Sequence, residues 1–206
     1  MNYKVSENGK MLTTHSCSIF PKPYNSVDKM EYVMFSVKEH TELIIESETE
    51  VHDVTVRPKS AKVKPVIRDR KIYISVDKPV KLSVEINGSC ENNLLIFAYD
   101  GEYKMPQGAE HIIAVRKGEK RDGTLLVNES NTVIYLEEGA VINGNIRAEG
   151  CENLTICGLG RVCMEQYTYE MRKDYARSVD IIGCRNVVID GIIIDDSNDW
   201  SLRING

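Results

Sequence analysis

Two nine-residue stretches of this chain carry the same pattern, and that repeat constrains the fold more than any other feature. Gly150-Cys151-Glu152-Asn153-Leu154-Thr155-Ile156-Cys157-Gly158 and Gly183-Cys184-Arg185-Asn186-Val187-Val188-Ile189-Asp190-Gly191 both read G-C-x-N-[LV]-x-I-x-G. Gly, Cys, Asn and aliphatic residues recurring in the same slots are the signature of a stacked structural unit. The step from Gly150 to Gly183 is 33 residues and that from Gly183 to Gly206 is 23, so Gly206 falls where a third copy would begin. A weaker copy, Thr132-Val133-Ile134-Tyr135, lies 21 residues before Asn153-Leu154-Thr155-Ile156. Coils of this size, made of short β-rich runs with Gly or Asn at the joints, predict a parallel β-solenoid.

Stacking gives each slot a physical role. Neighbouring coils lie about 4.7–4.9 Å apart, which puts Leu154 over Val187 and Ile156 over Ile189 in the core. Asn153 over Asn186 forms an amide ladder at a bend, each side chain donating to the next coil. Cys151 and Cys184 become small buried hydrophobes. The longer first step is accounted for by Glu165 to Tyr175, a polar stretch expected as a loop or short helix ejected from the coil, with Tyr167, Tyr169 and Tyr175 bordering a groove.

The first half of the chain reads differently. Met1 to about Asn25 is polar and broken by Pro21 and Pro23, an arm or first strand. Six alternating runs follow: Tyr32 to Val37, Thr41 to Glu46, Val51 to Val56, Lys71 to Val76, Val80 to Ile86 and Leu94 to Tyr99. Turn compositions such as Asp77-Lys78-Pro79 and Asn87-Gly88-Ser89 separate them, and no 3.6-residue period is sustained. That spacing predicts an antiparallel β-sandwich. Gly101, Pro106 and Gly108 interrupt the rhythm, so the expected division is a sandwich domain with its arm over 1–104 and the first coils of a solenoid over 105–206. In the second part, Lys117 to Gly123 reads as a hairpin-like, solvated tip between His111 to Val115 and Thr124 to Val127.

Charge and composition narrow the partners. With 26 basic and 31 acidic side chains the formal net charge is −5, which repels phosphate backbones, so no nucleic-acid partner is expected. The opening residues lack the apolar core of a signal peptide, and no apolar run nears the roughly 20 residues of a spanning helix. The expectation is therefore a cytoplasmic protein with no membrane partner, its six cysteines free thiols. There is no C-x-x-C pair, and His15, His40, His52 and His111 have no ligand spacing, so neither a metal nor a cofactor is expected. Gly158-Leu159-Gly160 lacks the third glycine and following helix of a nucleotide loop and is a coil turn.

Several segments taken together resemble a known family. They are Lys78-Pro79-Val80-Lys81-Leu82-Ser83-Val84-Glu85-Ile86-Asn87-Gly88, Leu95-Ile96-Phe97-Ala98, Val133-Ile134-Tyr135-Leu136-Glu137-Glu138-Gly139-Ala140-Val141-Ile142-Asn143-Gly144 and Asn153-Leu154-Thr155-Ile156-Cys157-Gly158-Leu159-Gly160-Arg161-Val162. Over about residues 70 to 206 the chain resembles the polygalacturonase family (glycoside hydrolase family 28) and the related dextranases, which are pectate-lyase-like right-handed β-helices. In dextranase-like members a β-sandwich precedes the helix. The resemblance thus implies an all-β fold, an antiparallel sandwich followed by the first, truncated coils of a right-handed parallel β-helix. Asp196-Ser197-Asn198-Asp199-Trp200-Ser201-Leu202-Arg203-Ile204 looks like the family's "nSpxWxihl" turn. In the family the catalytic aspartates follow that turn, in an N-x-D-G strand and an Asp-Asp pair, and none follows it here. An inverting glycosidase needs two carboxylates about 6.5–9.5 Å apart, one to protonate the leaving oxygen and one to activate water.

The expected function follows from that resemblance. The chain is the N-terminal portion of a polysaccharide-degrading glycoside hydrolase, inactive by itself, with a polysaccharide or oligosaccharide as partner. The alternative is a non-catalytic carbohydrate-binding or assembly module on a β-solenoid. An uncapped last coil predicts self-association.

No residue is assigned a catalytic role. Asp195 and Asp196 are the only adjacent aspartates of the solenoid, but neighbouring strand residues face opposite sides, so both can reach one sugar only where the strand turns. The substrate-binding candidates are Asp196, Asp199, Trp200 and Arg203. An aromatic face beside a carboxylate grips a sugar ring, and a guanidinium takes a uronic carboxylate bidentately. The competing readings are turn acids for the aspartates, a core aromatic at a coil corner for Trp200 and an outward surface cation for Arg203.

Overall fold

A computed structural model of the protein describes residues 3–18, 29–37, 40–101, 103–165 and 177–206. The ejected stretch expected after Glu165, with Tyr167, Tyr169 and Tyr175, lies outside the described residues. The described residues form two compact units, one through residue 101 and one from Tyr103 onward.

The first unit holds ten strands. They are β1 (Tyr3–Glu7), β2 (Lys10–Met11), β3 (His15–Ser18), β4 (Lys29–Val37), β5 (Thr41–Ser47), β6 (Val54–Arg57), β7 (Val66–Arg68), β8 (Lys71–Val76), β9 (Val80–Ile86) and β10 (Ser89–Asp100). Five make an antiparallel sheet in the order β2-β1-β5-β8-β7, and five a second sheet in the order β3-β4-β10-β9-β6. The expectation of uniformly antiparallel strands needs one correction, because β4 and β10 run parallel, Leu94 opposite Glu31 and Asp100 opposite Val37. Period-2 alternation builds the core: Leu43 and Ile45 of β5, Ile72 and Ile74 of β8, Val84 of β9 and Leu94 and Ile96 of β10 share one buried cluster. Each such aliphatic side chain contributes about 1.5–3 kcal/mol of transfer free energy. Asn87 and Gly88, with φ of 55° and 73°, join β9 to β10 in a two-residue turn that fits the twist of a hairpin.

The second unit alternates its strands between two parallel sheets. One stacks β11 (His111–Val115), β13 (Thr132–Leu136), β15 (Glu152–Gly158) and β18 (Arg185–Asp190). The other stacks β12 (Lys120–Val127) on β14 (Val141–Glu149). The next coil crosses β14 twice, as β16 (Arg161–Cys163) and β17 (Val179–Ile182), and above these lie β19 (Ile193–Asp195) and β20 (Leu202–Asn205). Each coil adds one layer to each sheet, a β-helix-like winding. Leu154 pairs with Val187 and Ile156 with Ile189, the register the repeat predicts. Inside lie Ile134, Ile142, Ile146, Leu154, Ile156 and Ile181, among others, in a single cluster.

Two expectations in this unit are corrected. Lys117 to Gly123 is not a hairpin tip: Lys120 to Gly123 belong to β12 and pair in parallel with Val141 to Gly144, because the neighbour that satisfies their backbone is the next coil. The weaker copy is also displaced by one residue. Val133 pairs with Thr155 and Ile134 with Ile156, a step of 22, and Asn131 fills the Asn slot. A one-residue slip would turn Ile134 out of the core, so burial fixes the register. The closing glycine of the repeat has a steric cause: a Cβ on Gly158 would sit 2.0 Å from the Leu136 carbonyl oxygen, and one on Gly191 2.3 Å from that of Gly158.

Candidate functional site

The core takes Leu125 and Val127 of β12 and Ile142, Ile146 and Ala148 of β14, so the residues between them face outward. Those outward residues are mostly polar and stacked in columns. Asp122 pairs with Asn143, Asn143 with Cys163 and Cys163 with Asp195. Thr124 lies beside Asn145 and donates to its Oδ1 at 2.7 Å, and Asn143 Nδ2 donates to Asp122. A third column runs Leu126, Arg147, Asp180, Arg203. Asn143, Asn145 and Asp180 are buried although they point away from the core. A polar face with buried amides and carboxylates is where hydrogen bonds with direction, not apolar packing, set the geometry.

The bend between β19 and β20, with the start of β20, carries the predicted contact residues. Arg203 donates from Nε and Nη2 to the two carboxylate oxygens of Asp180, both at 2.6 Å. It is therefore neither an isolated surface cation nor an open fork. Arg177 pairs with Asp199 at 3.1 Å across the same bend. Ser178 donates to Ser197 at 2.7 Å and Ser197 to Ser201 at 2.9 Å, a hydroxyl chain that ties adjacent coils. Trp200 is 64% exposed, which removes the core reading of that side chain.

Asp195 ends β19 and Asp196 takes φ of 47°, so the strand turns where the two acids sit. Both then converge on one place: an oxygen of each and Cys163 Sγ lie within 4.8 Å of one another. Cys163 and Asp196 are buried, and Cys163 Sγ donates to Asp196 Oδ2 at 3.8 Å. Burial pushes the Cys163 thiol up to about 12, helped by the Asp195 charge. Burial also raises the Asp195 carboxyl, against the pull of the Arg161 guanidinium 3.1 Å away. One thiol and two carboxylates are the donor types of a small cation site. Here the guanidinium already supplies the positive charge beside Asp195, and the thiol holds its proton, so the group works as a cross-coil polar cluster. The separation is also shorter than the about 6.5–9.5 Å that admits a water in an inverting pair.

Asp199 and Trp200 thus fall on the bend, Arg203 lies just beyond it in β20, and Asp196 is drawn toward Cys163. Reading the chain residue by residue missed Arg161, Cys163, Arg177 and Asp180, although the coil step could have found them. Asp180 lies 23 positions before Arg203, and Cys163 lies 33 before Asp196.

No family model matches this sequence, and no curated protein matches it either. Among solved structures the chain is similar to Dex49A from Penicillium minioluteum, with a TM-score of 0.60 and 17% sequence identity. The match covers 99% of this chain and 55% of the other, so the chain spans about half the length of that protein. At 17% identity the likeness shows the fold alone, and it does not single out glycoside hydrolase family 28.

Proposed function

We propose that these residues form the N-terminal part of a polysaccharide-degrading glycoside hydrolase of the dextranase-like kind, a β-sandwich followed by the first coils of a right-handed β-helix. The fold likeness to a dextranase supports the class. The observation that carries the reading is the bend at Trp200: a largely exposed aromatic face beside the Arg177–Asp199 and Arg203–Asp180 pairs and a chain of three serine hydroxyls. Aromatic faces stack on the C–H surface of a pyranose, and the flanking polar atoms take its hydroxyls.

The charge pattern selects among glycans. Arg147, Arg161, Arg177 and Arg203 of this face each pair with an in-chain carboxylate, Glu149, Asp195, Asp199 and Asp180 respectively. Among the described residues, Lys120, on the first coil, is the remaining cation of the face. A uronic polymer would have to displace these pairs, whereas a neutral glucan uses their outer lone pairs and N–H groups as they stand. A neutral polysaccharide is therefore the partner. These 206 residues supply a wall of the groove and not the catalytic pair, and they release no reducing sugar by themselves.

A second reading, a non-catalytic carbohydrate-binding module, shares the Trp200 face and differs in what the remaining coils would add. The test is electrophoresis in gels cast with dextran or with polygalacturonate, alongside a reducing-sugar assay. Retardation by dextran alone, with no sugar release, supports the proposal. Retardation by polygalacturonate alone overturns the charge argument, and release of reducing sugar overturns the assignment of no catalytic pair.

A further inference from the structure

We propose that Cys151 and Cys184 form an oxidative modification site, at which a small-molecule disulfide converts two thiols on adjacent coils into a covalent staple. The repeat alone suggests only two small hydrophobes in equivalent slots. In the structure their Sγ atoms are 3.4 Å apart. The backbone beneath them is already held: Glu152 pairs with Arg185 in register, and the Arg185 N–H donates to the Cys151 carbonyl at 2.9 Å. Coils about 4.7–4.9 Å apart put equivalent Cα atoms inside the about 4.4–6.8 Å window that a disulfide spans. Closing the sulfurs to about 2.05 Å then asks for side-chain rotation and no strand movement. Each thiol has only a weak partner to give up, Cys151 the Val127 carbonyl at 3.8 Å and Cys184 the Ile182 carbonyl at 3.4 Å.

The order of events follows from exposure. Cys184 is half-buried and Cys151 buried, and burial together with the neighbouring thiol lifts Cys151 to about 11. The Cys184 thiolate therefore attacks first, at one sulfur of oxidised glutathione, and one glutathione thiol leaves. The Cys151 thiolate then attacks Cys184 Sγ, and the second glutathione thiol leaves. Two thiol protons are lost, and the two electrons end on the reagent as two reduced thiols. The new bond closes a 33-residue loop that contains β15, β16 and β17 and ties one coil to the next. This site is independent of the glycan reading.

Incubation of the chain with oxidised glutathione at about pH 8.5, near the pKa of an unperturbed thiol, followed by alkylation and tryptic digestion without reduction, tests it. The expected product is peptide 148–161 linked to peptide 178–185, with fragmentation placing the bond on Cys151 and not Cys157. The free-thiol count falls from six to four, and the unfolding midpoint rises until reductant is added. Cys184→Ala loses the link and the shift, and Cys17→Ala keeps both. Full alkylation of both residues, a link through Cys157, or a glutathione adduct on Cys184 that never resolves overturns the proposal. Should Cys151→Ala fail to fold, the wild-type map and Cys184→Ala decide the matter alone.

Discussion

Asn186 Nδ2 donates to Asn153 Oδ1 at 3.1 Å, and Asn153 Nδ2 donates in turn to Asn131 Oδ1 at 2.8 Å. All three asparagines hold positive φ, 52°, 55° and 55°. The slot therefore asks for two properties at once, a side chain that both donates and accepts and a backbone that tolerates the left-handed region. Asn153→Ala loses both and is expected to cost about 1–3 kcal/mol. Asn153→Gly keeps the backbone freedom and loses about 1 kcal/mol less. Urea midpoints of the two variants check this, and equal losses would show that the backbone term is absent.

The Asp180–Arg203 pair predicts a further loss of stability. Asp180 retains 4% of its side-chain exposure and Arg203 26%, so truncating the arginine strands a buried carboxylate. Arg203→Ala is expected to lower the urea midpoint, by less than truncating one partner of a fully buried pair because Arg203 is partly solvated. Adding Asp180→Asn to that variant removes the orphaned charge and restores most of the loss. A double variant no more stable than Arg203→Ala would contradict the pairing account.

Stability should fall on the alkaline side. Burial holds the Cys163 thiol at about 12 against an ordinary 9.0, and the Tyr3 phenol at about 12 against 10.0. Below the ordinary values both states keep these protons. As pH rises from about 9 toward 12 the unfolded chain releases them first, so the stabilisation is progressively lost. Cys163→Ala should flatten the early part of that decline in guanidinium midpoints measured against pH. Asp195, raised by burial, has the same sign in the acid range: its contribution is lost as pH climbs above the ordinary carboxylate value.

The strands and the coil register were legible in the chain because alternation and the nine-residue repeat are local signals. Thr41 to Glu46 and Lys71 to Val76 are strands for the reason their pattern gives, one face buried and one not. The short β2 and β7 have two and three residues, too few for a period to show. Lys120 to Gly123 misread as a tip because its charge and glycine describe a turn, while the parallel neighbour that makes it a strand is one coil away. Asp199, Trp200 and Arg203, three contact candidates named from the sequence, lie close together, the first two on the bend and Arg203 at the start of β20. Their partners Arg177 and Asp180 belong to the preceding coil and come into view only when the coil step is applied to charges as well as to aliphatics. The turn at Asp196 depends on a backbone angle that an aspartate adopts in context, which no spacing announces.

The most direct measurement of the central claim is the retardation of the wild-type chain and Trp200→Ala in gels containing graded dextran. Trp200 is exposed and off the core, so the variant folds as the parent does. Loss of one sugar-stacking face worth about 1.4 kcal/mol predicts an about tenfold weaker dissociation constant, with no change in thermal midpoint. Identical retardation of the two proteins by dextran would contradict a glycan groove at this bend.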